Sequence, residues 1–169
     1  MSTVVAAAGT RFGHKFPVKG MLWGGLVAGI LDGLDAVVYF GIASGAKPAG
    51  IFRYIAGGWL GLQAARQGGW ATALLGVGFH FLIAFGAAAA YCLASLLLSG
   101  LVRRPLLWGP LFGIAVYFFM DFVVVPLSKL PPQGHWGPAA ALTNEILIHM
   151  FGIGLPIAWF ASRSLRNAR

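Results

Sequence analysis

The chain has 169 residues, of which 59% are hydrophobic and only 9% are charged, and its net charge is +8. Soluble domains carry about 25% charged residues, so this composition excludes an ordinary soluble domain and predicts a protein whose surface mostly faces lipid. The basic residues flank apolar runs and form no patch with interleaved polar groups, which favours contact with anionic head groups and no nucleic-acid partner.

Four apolar runs predict an all-α integral membrane four-helix bundle, in a single domain that covers residues 1–169. A span needs about 20 apolar residues, and the predicted spans are 18–43, 70–99, 105–127 and 139–161. The segment 51–60, in the first loop, is apolar with one arginine and predicts a short helix in the membrane interface. A re-entrant segment that breaks at Gly57-Gly58 is the alternative.

The basic residues divide unevenly between the two sides of the predicted bundle. The side with both termini carries eight: Arg11, Lys15, Lys19, Arg103, Arg104, Arg163, Arg166 and Arg169. The other side carries four: Lys47, Arg53, Arg66 and Lys129. The positive-inside rule therefore predicts that both termini are cytoplasmic.

The acidic residues all fall inside predicted spans, where each costs about 2.5–3.5 kcal/mol at the bilayer centre. Together with one histidine in each returning span, they lie between the midplane and the outer face. We expect these six side chains to form a buried polar cluster in the periplasmic half of the bundle: Asp32, Asp35, His80, Asp121, Glu145 and His149. Arg53, in the first loop, is the expected ion-pair partner of Asp35 or Asp121.

A weak internal repeat relates the two halves of the chain. The first span begins Leu22-Trp23-Gly24-Gly25-Leu26 and the third begins Leu107-Trp108-Gly109-Pro110-Leu111. The chain is then two repeated helical hairpins, as in parallel-repeat transporters, or the similarity is chance between apolar helices. In the first case Asp35 with His80, and Asp121 with His149, are equivalent pairs in one site that binds a proton or a cation.

Three functions are compatible with this pattern, and no catalytic residue is predicted because no catalytic motif occurs. The first is proton or cation binding or translocation, and the second is a structural or accessory subunit of a membrane complex. The third is a membrane redox protein that binds a metal ion or haem, with His80, His149, Glu145 and Asp121 as the candidate ligands. The expected partners are the lipid bilayer and either further copies of the chain or a larger membrane complex.

A family resemblance rests on four segments that cover most of the chain. They are Leu31-Asp32-Gly33-Leu34-Asp35, Ile51-Phe52-Arg53-Tyr54-Ile55-Ala56, Leu75-Gly76-Val77-Gly78-Phe79-His80-Phe81 and Val124-Val125-Pro126-Leu127-Ser128. The order of these features resembles small bacterial inner-membrane proteins and is similar in character to the YagU-like proteins of unknown function. The resemblance implies a bacterial inner (plasma) membrane, and no functional residue is carried over from it.

Overall fold

Four long helices and three short ones make up the described part of the chain. The computed structural model describes residues 16–131 and 138–167. Within them, four helices are long and apolar enough to cross a membrane: α1 (Val18–Ser44), α4 (Gly69–Leu97), α6 (Pro105–Leu127) and α7 (Ala139–Arg166). Three short helices connect them: α2 (Pro48–Leu60), α3 (Leu62–Gln67) and α5 (Ser99–Arg103). The predicted all-α four-helix architecture is confirmed, and the chain is a multi-pass membrane protein in contact with lipid.

The predicted span boundaries lie within two residues of the observed ones, with one exception at the end of α7. That helix continues to Arg166, five residues beyond the predicted end at 161. Residues 1–15, the loop segment 132–137 and the last two residues lie outside the described residues. No membrane side is marked in the structure, so we name the two ends of the bundle by their contents. The α2 end carries α2, and the terminal end carries the start of α1 and the end of α7.

Glycines on α1 let the flanking helices approach closely. A side-chain carbon at Gly24 would lie 3.1 Å from the Cα of Ile157 on α7, and Gly25 and Gly29 face the rings of Phe85 and Phe81 on α4. Carbon atoms pack best at about 3.5–4.0 Å, so residues larger than glycine would push these helices apart. This row of glycines on α1 is therefore a packing surface, as in other membrane helix pairs.

A second glycine seam joins α6 to α7. Gly154 on α7 faces the backbone of both Gly109 and Gly113 on α6, and Gly113 faces the carbonyl group of His149. Backbone-to-backbone contact at this distance is possible only without side chains, which is the usual role of small residues in membrane helix pairs. The seam fixes α7 against α6 at the level of His149.

The four spans follow one another round the bundle in the order α4, α1, α7, α6, and α6 makes little contact with α4. Near the terminal end this gap is closed by the rings of Tyr91 and Phe112, whose centroids lie 5.0 Å apart. The buried core also lies there and includes Ala28, Ala88, Tyr91, Cys92, Ile153, Ile157, Ala158 and Ala161. The bundle is thus closed toward the terminal end, while toward the α2 end the spans diverge.

The predicted short helix in the first loop is confirmed as α2, which packs on α4. The backbone of Phe52 lies against Gly76, and the amide of Lys129 donates a hydrogen bond of 2.8 Å to the carbonyl of Gly58. The alternative, a re-entrant segment that breaks at Gly57-Gly58, does not have this break, because the helix continues through both glycines to a turn at Gly61 with φ 87°. Whether α2 lies in the interface stays a prediction.

Both α6 and α7 contain a wider π-helical segment, Met120–Val124 in α6 and Ile148–Gly154 in α7. Each segment ends shortly before a proline, Pro126 or Pro156. A proline has no N–H for the carbonyl four residues earlier, and its ring clashes with that carbonyl. A local change to wider hydrogen bonding relieves the clash, and π-helical turns are frequent at functional sites.

Candidate functional site

A cavity of about 650 Å³ opens between the diverging spans at the α2 end. All four spans and α2 line it, and it reaches down to Ala28 and Ile153 of the core. Five of the six predicted polar residues are among the lining residues: Asp32, His80, Asp121, Glu145 and His149. Most of the wall is apolar or aromatic and includes Phe40, Ile51, Tyr54, Ile83, Tyr117 and Met120. This size is typical of a small-molecule site, which commonly measures about 300–1,000 Å³.

His80 and Asp32 face each other across the α1–α4 contact. The Nε2 atom of His80 lies 2.7 Å from the carbonyl oxygen of Gly29. A carbonyl only accepts, so Nε2 carries a hydrogen and donates it. The Nδ1 atom lies 3.9 Å from Asp32 Oδ2, with side-chain exposures of 10% for His80 and 27% for Asp32. That separation is too long for a hydrogen bond but suits an ion pair when Nδ1 takes up a proton.

Asp35 has a different partner from the predicted one. Its Oδ2 atom accepts a hydrogen bond of 2.7 Å from the side-chain amide of Asn144 on α7. The predicted pair of Asp35 with His80 is therefore wrong: His80 pairs with Asp32, one helical turn away. Asp35 is also absent from the cavity wall, and its bond to Asn144 joins α1 to α7 beside the cavity.

The polar groups on α7 are fixed by their own helix. His149 Nδ1 lies 2.7 Å from the backbone carbonyl of Glu145, one turn earlier, so Nδ1 donates and Nε2 is the nitrogen that accepts. The imidazole also packs edge-to-face on Tyr117 of α6, with ring centroids 5.5 Å apart. Glu145, Asp121 and Asp32 line the cavity from α7, α6 and α1, so carboxyl groups of three spans share one space.

The prediction of a buried cluster is wrong in one respect. Each of the six side chains keeps part of its surface exposed, and none belongs to the buried core of the described structure. The acids and histidines surround an open cavity, so water or a ligand has access to them. Their role as a functional site is not tested by this geometry and stays a prediction.

The expected ion pair of Arg53 is not formed. Across residues 16–131 and 138–167, no ion pair joins Arg53 to Asp35 or Asp121. The Arg53 Nε atom is buried in α2 and has no hydrogen-bond partner among these residues. Arg53 is not among the residues that line the cavity.

A compact metal site is also not formed. In the part of the chain that the structure describes, no three His, Cys, Asp or Glu side chains converge closely enough to hold a metal ion. The candidate ligands His80, His149, Glu145 and Asp121 do not form such a group here, and their role as metal ligands stays a prediction. A haem held by both histidines is disfavoured as well, because the Nε2 atom of His80 is bonded to a backbone carbonyl.

Sequence reasoning missed the neutral polar groups of the site. Asn144 carries no charge, so the positions of the ionisable residues give no signal for it, although an amide inside an apolar span also requires a partner. Tyr54 and Tyr117 contribute aromatic rings with hydroxyl groups to the wall, and their signal was hidden among many aromatic residues. Pro126 and Pro156 inside apolar spans were the available signal for the π-helical segments.

Comparison of the chain with protein-family models, curated proteins and solved structures finds no significant match. The cavity and its residues are therefore the basis for a functional proposal.

Proposed function

We propose that this protein binds an organic cation in the cavity at the α2 end and exchanges it for protons. The observation that carries the proposal is the charge of the cavity wall. Three carboxyl groups from three spans line it, those of Asp32, Asp121 and Glu145, and no lysine or arginine is found among its described lining residues. Like charges in one cavity repel each other, so a bound cation lowers their electrostatic energy.

The size and chemistry of the wall favour an organic cation over a bare metal ion. A metal ion needs several ligands at about 2 Å, and the described residues offer no such group. The cavity instead combines about 650 Å³ of space with the rings of Tyr54, Tyr117 and Phe40. Aromatic faces attract cations, and apolar walls favour the carbon skeleton of the ligand.

Proton exchange rests on the pair of Asp32 and His80. With Nε2 held by the carbonyl of Gly29, only Nδ1 of His80 can gain or lose a proton, and it faces the Asp32 carboxylate at 3.9 Å. A cation next to Asp32 competes with a protonated imidazole for the same negative charge. Binding of the ligand should therefore release a proton from this pair.

The closed core favours binding from one side over free conduction. The residues packed below the cavity include Tyr91, Cys92 and Ile157, and the described terminal half holds no aspartate, glutamate or histidine. The proposal takes the type of membrane from the YagU-like resemblance, and it takes the orientation of the protein from the uneven distribution of basic residues. The protein then lies in a bacterial inner membrane with cytoplasmic termini, and its cavity opens to the periplasm.

The test is isothermal titration calorimetry of the purified protein in an uncharged detergent. The probe is tetraphenylphosphonium, with the neutral triphenylphosphine oxide as the matched ligand control. We expect saturable binding of the cation only, and a loss of about tenfold or more in affinity in Asp32→Asn, since two opposite unit charges about 6 Å apart attract each other by about 3 kcal/mol at an effective dielectric constant of about 20. Repeating the titration in buffers of different ionisation enthalpy measures the protons released.

Asp35→Asn is the matched control variant, because Asp35 lies one turn from Asp32 but outside the cavity wall. We expect it to retain the affinity of the wild type within about threefold, a difference below 1 kcal/mol. Equal binding of both probes, or an Asp32→Asn variant that binds as well as the wild type, would rule out the proposed site. The polar residues would then serve only to hold the helices together.

A further inference from the structure

A second cleft, of about 520 Å³, lies between α1 and α7 at the terminal end. Its lining residues come from the first turns of α1 and the last turns of α7: Lys19, Gly20, Trp23, Phe160, Arg163, Ser164 and Asn167. Gly20 forms part of it, because a side-chain carbon there would lie only 2.8 Å from the carbonyl oxygen of Phe160. The close approach of the two backbones sets one lysine and one arginine from different helices around one cleft.

Among the described residues, no aspartate or glutamate lies near the two cations of the cleft. The four acidic residues of the chain are Asp32, Asp35, Asp121 and Glu145, and they lie toward the α2 end, around or beside the other cavity. The described residues show no ion pair for Lys19 or Arg163, and both side chains are exposed. Arg166 differs, since its guanidinium donates to the carbonyl oxygens of Val102 and Arg103 at 2.9 and 3.1 Å.

We propose that this cleft binds the phosphate of an anionic phospholipid. Lys19 and Arg163 supply positive charge, and the hydroxyl of Ser164 and the amide of Asn167 supply hydrogen-bond donors suited to phosphate oxygens. Basic pockets between membrane helices bind lipid head groups in this way. The site is separate from the organic-cation cavity and does not depend on that proposal.

The apolar surface beside the cleft favours a lipid over a free phosphate ion. Leu22, Trp23 and Leu26 of α1 are exposed by 48%, 56% and 37%, so the acyl chains of a bound lipid have an apolar face to cover. Trp23 lies in the second turn of a predicted span, and tryptophans are enriched near the ends of membrane spans, where they meet lipid head groups. A free phosphate would use the polar residues and leave this face unused.

The test is native mass spectrometry of the full-length protein in a mild uncharged detergent, titrated with phosphatidylglycerol or phosphatidylcholine. We expect the anionic lipid to bind at least tenfold more tightly. The double variant Lys19→Gln with Arg163→Gln should lose roughly 25-fold in affinity for it, about fivefold per basic residue. Arg104→Gln, a charge loss at the same end but outside the cleft, is the control and should lose less than threefold.

Three results would overturn the proposal. The first is equal binding of both lipids, and the second is equal loss of affinity in the double variant and in Arg104→Gln. In the third, millimolar inorganic phosphate displaces the lipid and binds in its place, which would make the cleft a site for free phosphate. A double variant that no longer folds would be recognised by a lower melting temperature. In that case Lys19→Gln and Arg163→Gln are measured separately. A loss of less than twofold in affinity for the anionic lipid in both single variants would equally overturn the proposal.

Discussion

Gly113→Ala is the substitution that most directly tests the α6–α7 seam. The added carbon would lie 2.8 Å from the Cα of Met150 and still closer to the carbonyl group of His149. These are backbone atoms, so no side-chain rotation can relieve the contact. Carbon atoms pack at about 3.5–4.0 Å, and α6 and α7 must therefore separate by roughly 1 Å at the level of the π-helical segment that carries His149.

The expected loss of stability follows from comparison with Gly86→Ala on α4. A side-chain carbon at Gly86 meets no atom within 4 Å, so this variant gains only the helix propensity of alanine, up to about 1 kcal/mol. Gly113→Ala gains the same propensity but adds an overpacking cost of about 1–3 kcal/mol. The difference between the two variants should therefore be about 1–3 kcal/mol, or a melting temperature lower by about 2–12 °C.

Cys92 provides the assay, since it is the single cysteine of the chain and is fully buried in the core. A thiol-reactive fluorogenic dye reports its exposure as the purified protein is heated in detergent. A melting temperature for Gly113→Ala equal to or above that of Gly86→Ala would refute the close backbone contact between α6 and α7. Gly113→Ala should also weaken cation binding, because His149, which lines the cavity, moves with α7.

Three further outcomes are expected. Thr72→Val should lower the free energy of unfolding by about 1 kcal/mol, measured by thermal melting, because the buried hydroxyl donates a 2.6 Å hydrogen bond to a carbonyl of α3. Ser162→Ala should have a smaller effect in the same assay, because the Val102 carbonyl that it bonds at 2.7 Å also accepts from Arg166. Native membranes treated with a membrane-permeant maleimide should show almost no labelling of Cys92 until the protein is denatured, whereas rapid labelling of the folded protein would contradict a closed core.

The spans were predictable because the bilayer sets a strong and simple requirement. Every backbone polar group in lipid must be satisfied within the protein, so long apolar runs become helices. The length of each run then fixes the span, as Pro105–Leu127 shows. Placing five of the six polar residues around one cavity was also within reach, since charged groups in a span avoid lipid and face the protein interior.

The pairing of the polar residues was beyond the sequence. Asp32 and Asp35 are three residues apart and share one side of α1, so the choice of which one meets His80 depends on the rotation of α4 about its axis. That rotation is set by contacts such as the backbone of Phe52 against Gly76 and the ring of Phe81 against Gly29. The spacing of residues in the sequence gives their depth along the membrane normal, but it does not give the rotation of a helix about its own axis.

Pro156 and the π-helical segment before it add a further reason why the cavity-facing side of α7 could not be predicted. A regular α-helix turns 100° per residue, and a π-helical turn changes this angle. Residues before and after Ile148–Gly154 therefore do not follow one helical periodicity. His149 lies inside that segment and faces Tyr117 and the cavity, while Ile157 beyond it faces the core. The same span thus presents a polar face toward the α2 end and an apolar one toward the terminal end. Because α7 changes its character along its length, one bundle has an open cavity lined by carboxyl groups at the α2 end and a closed apolar core toward the terminal end.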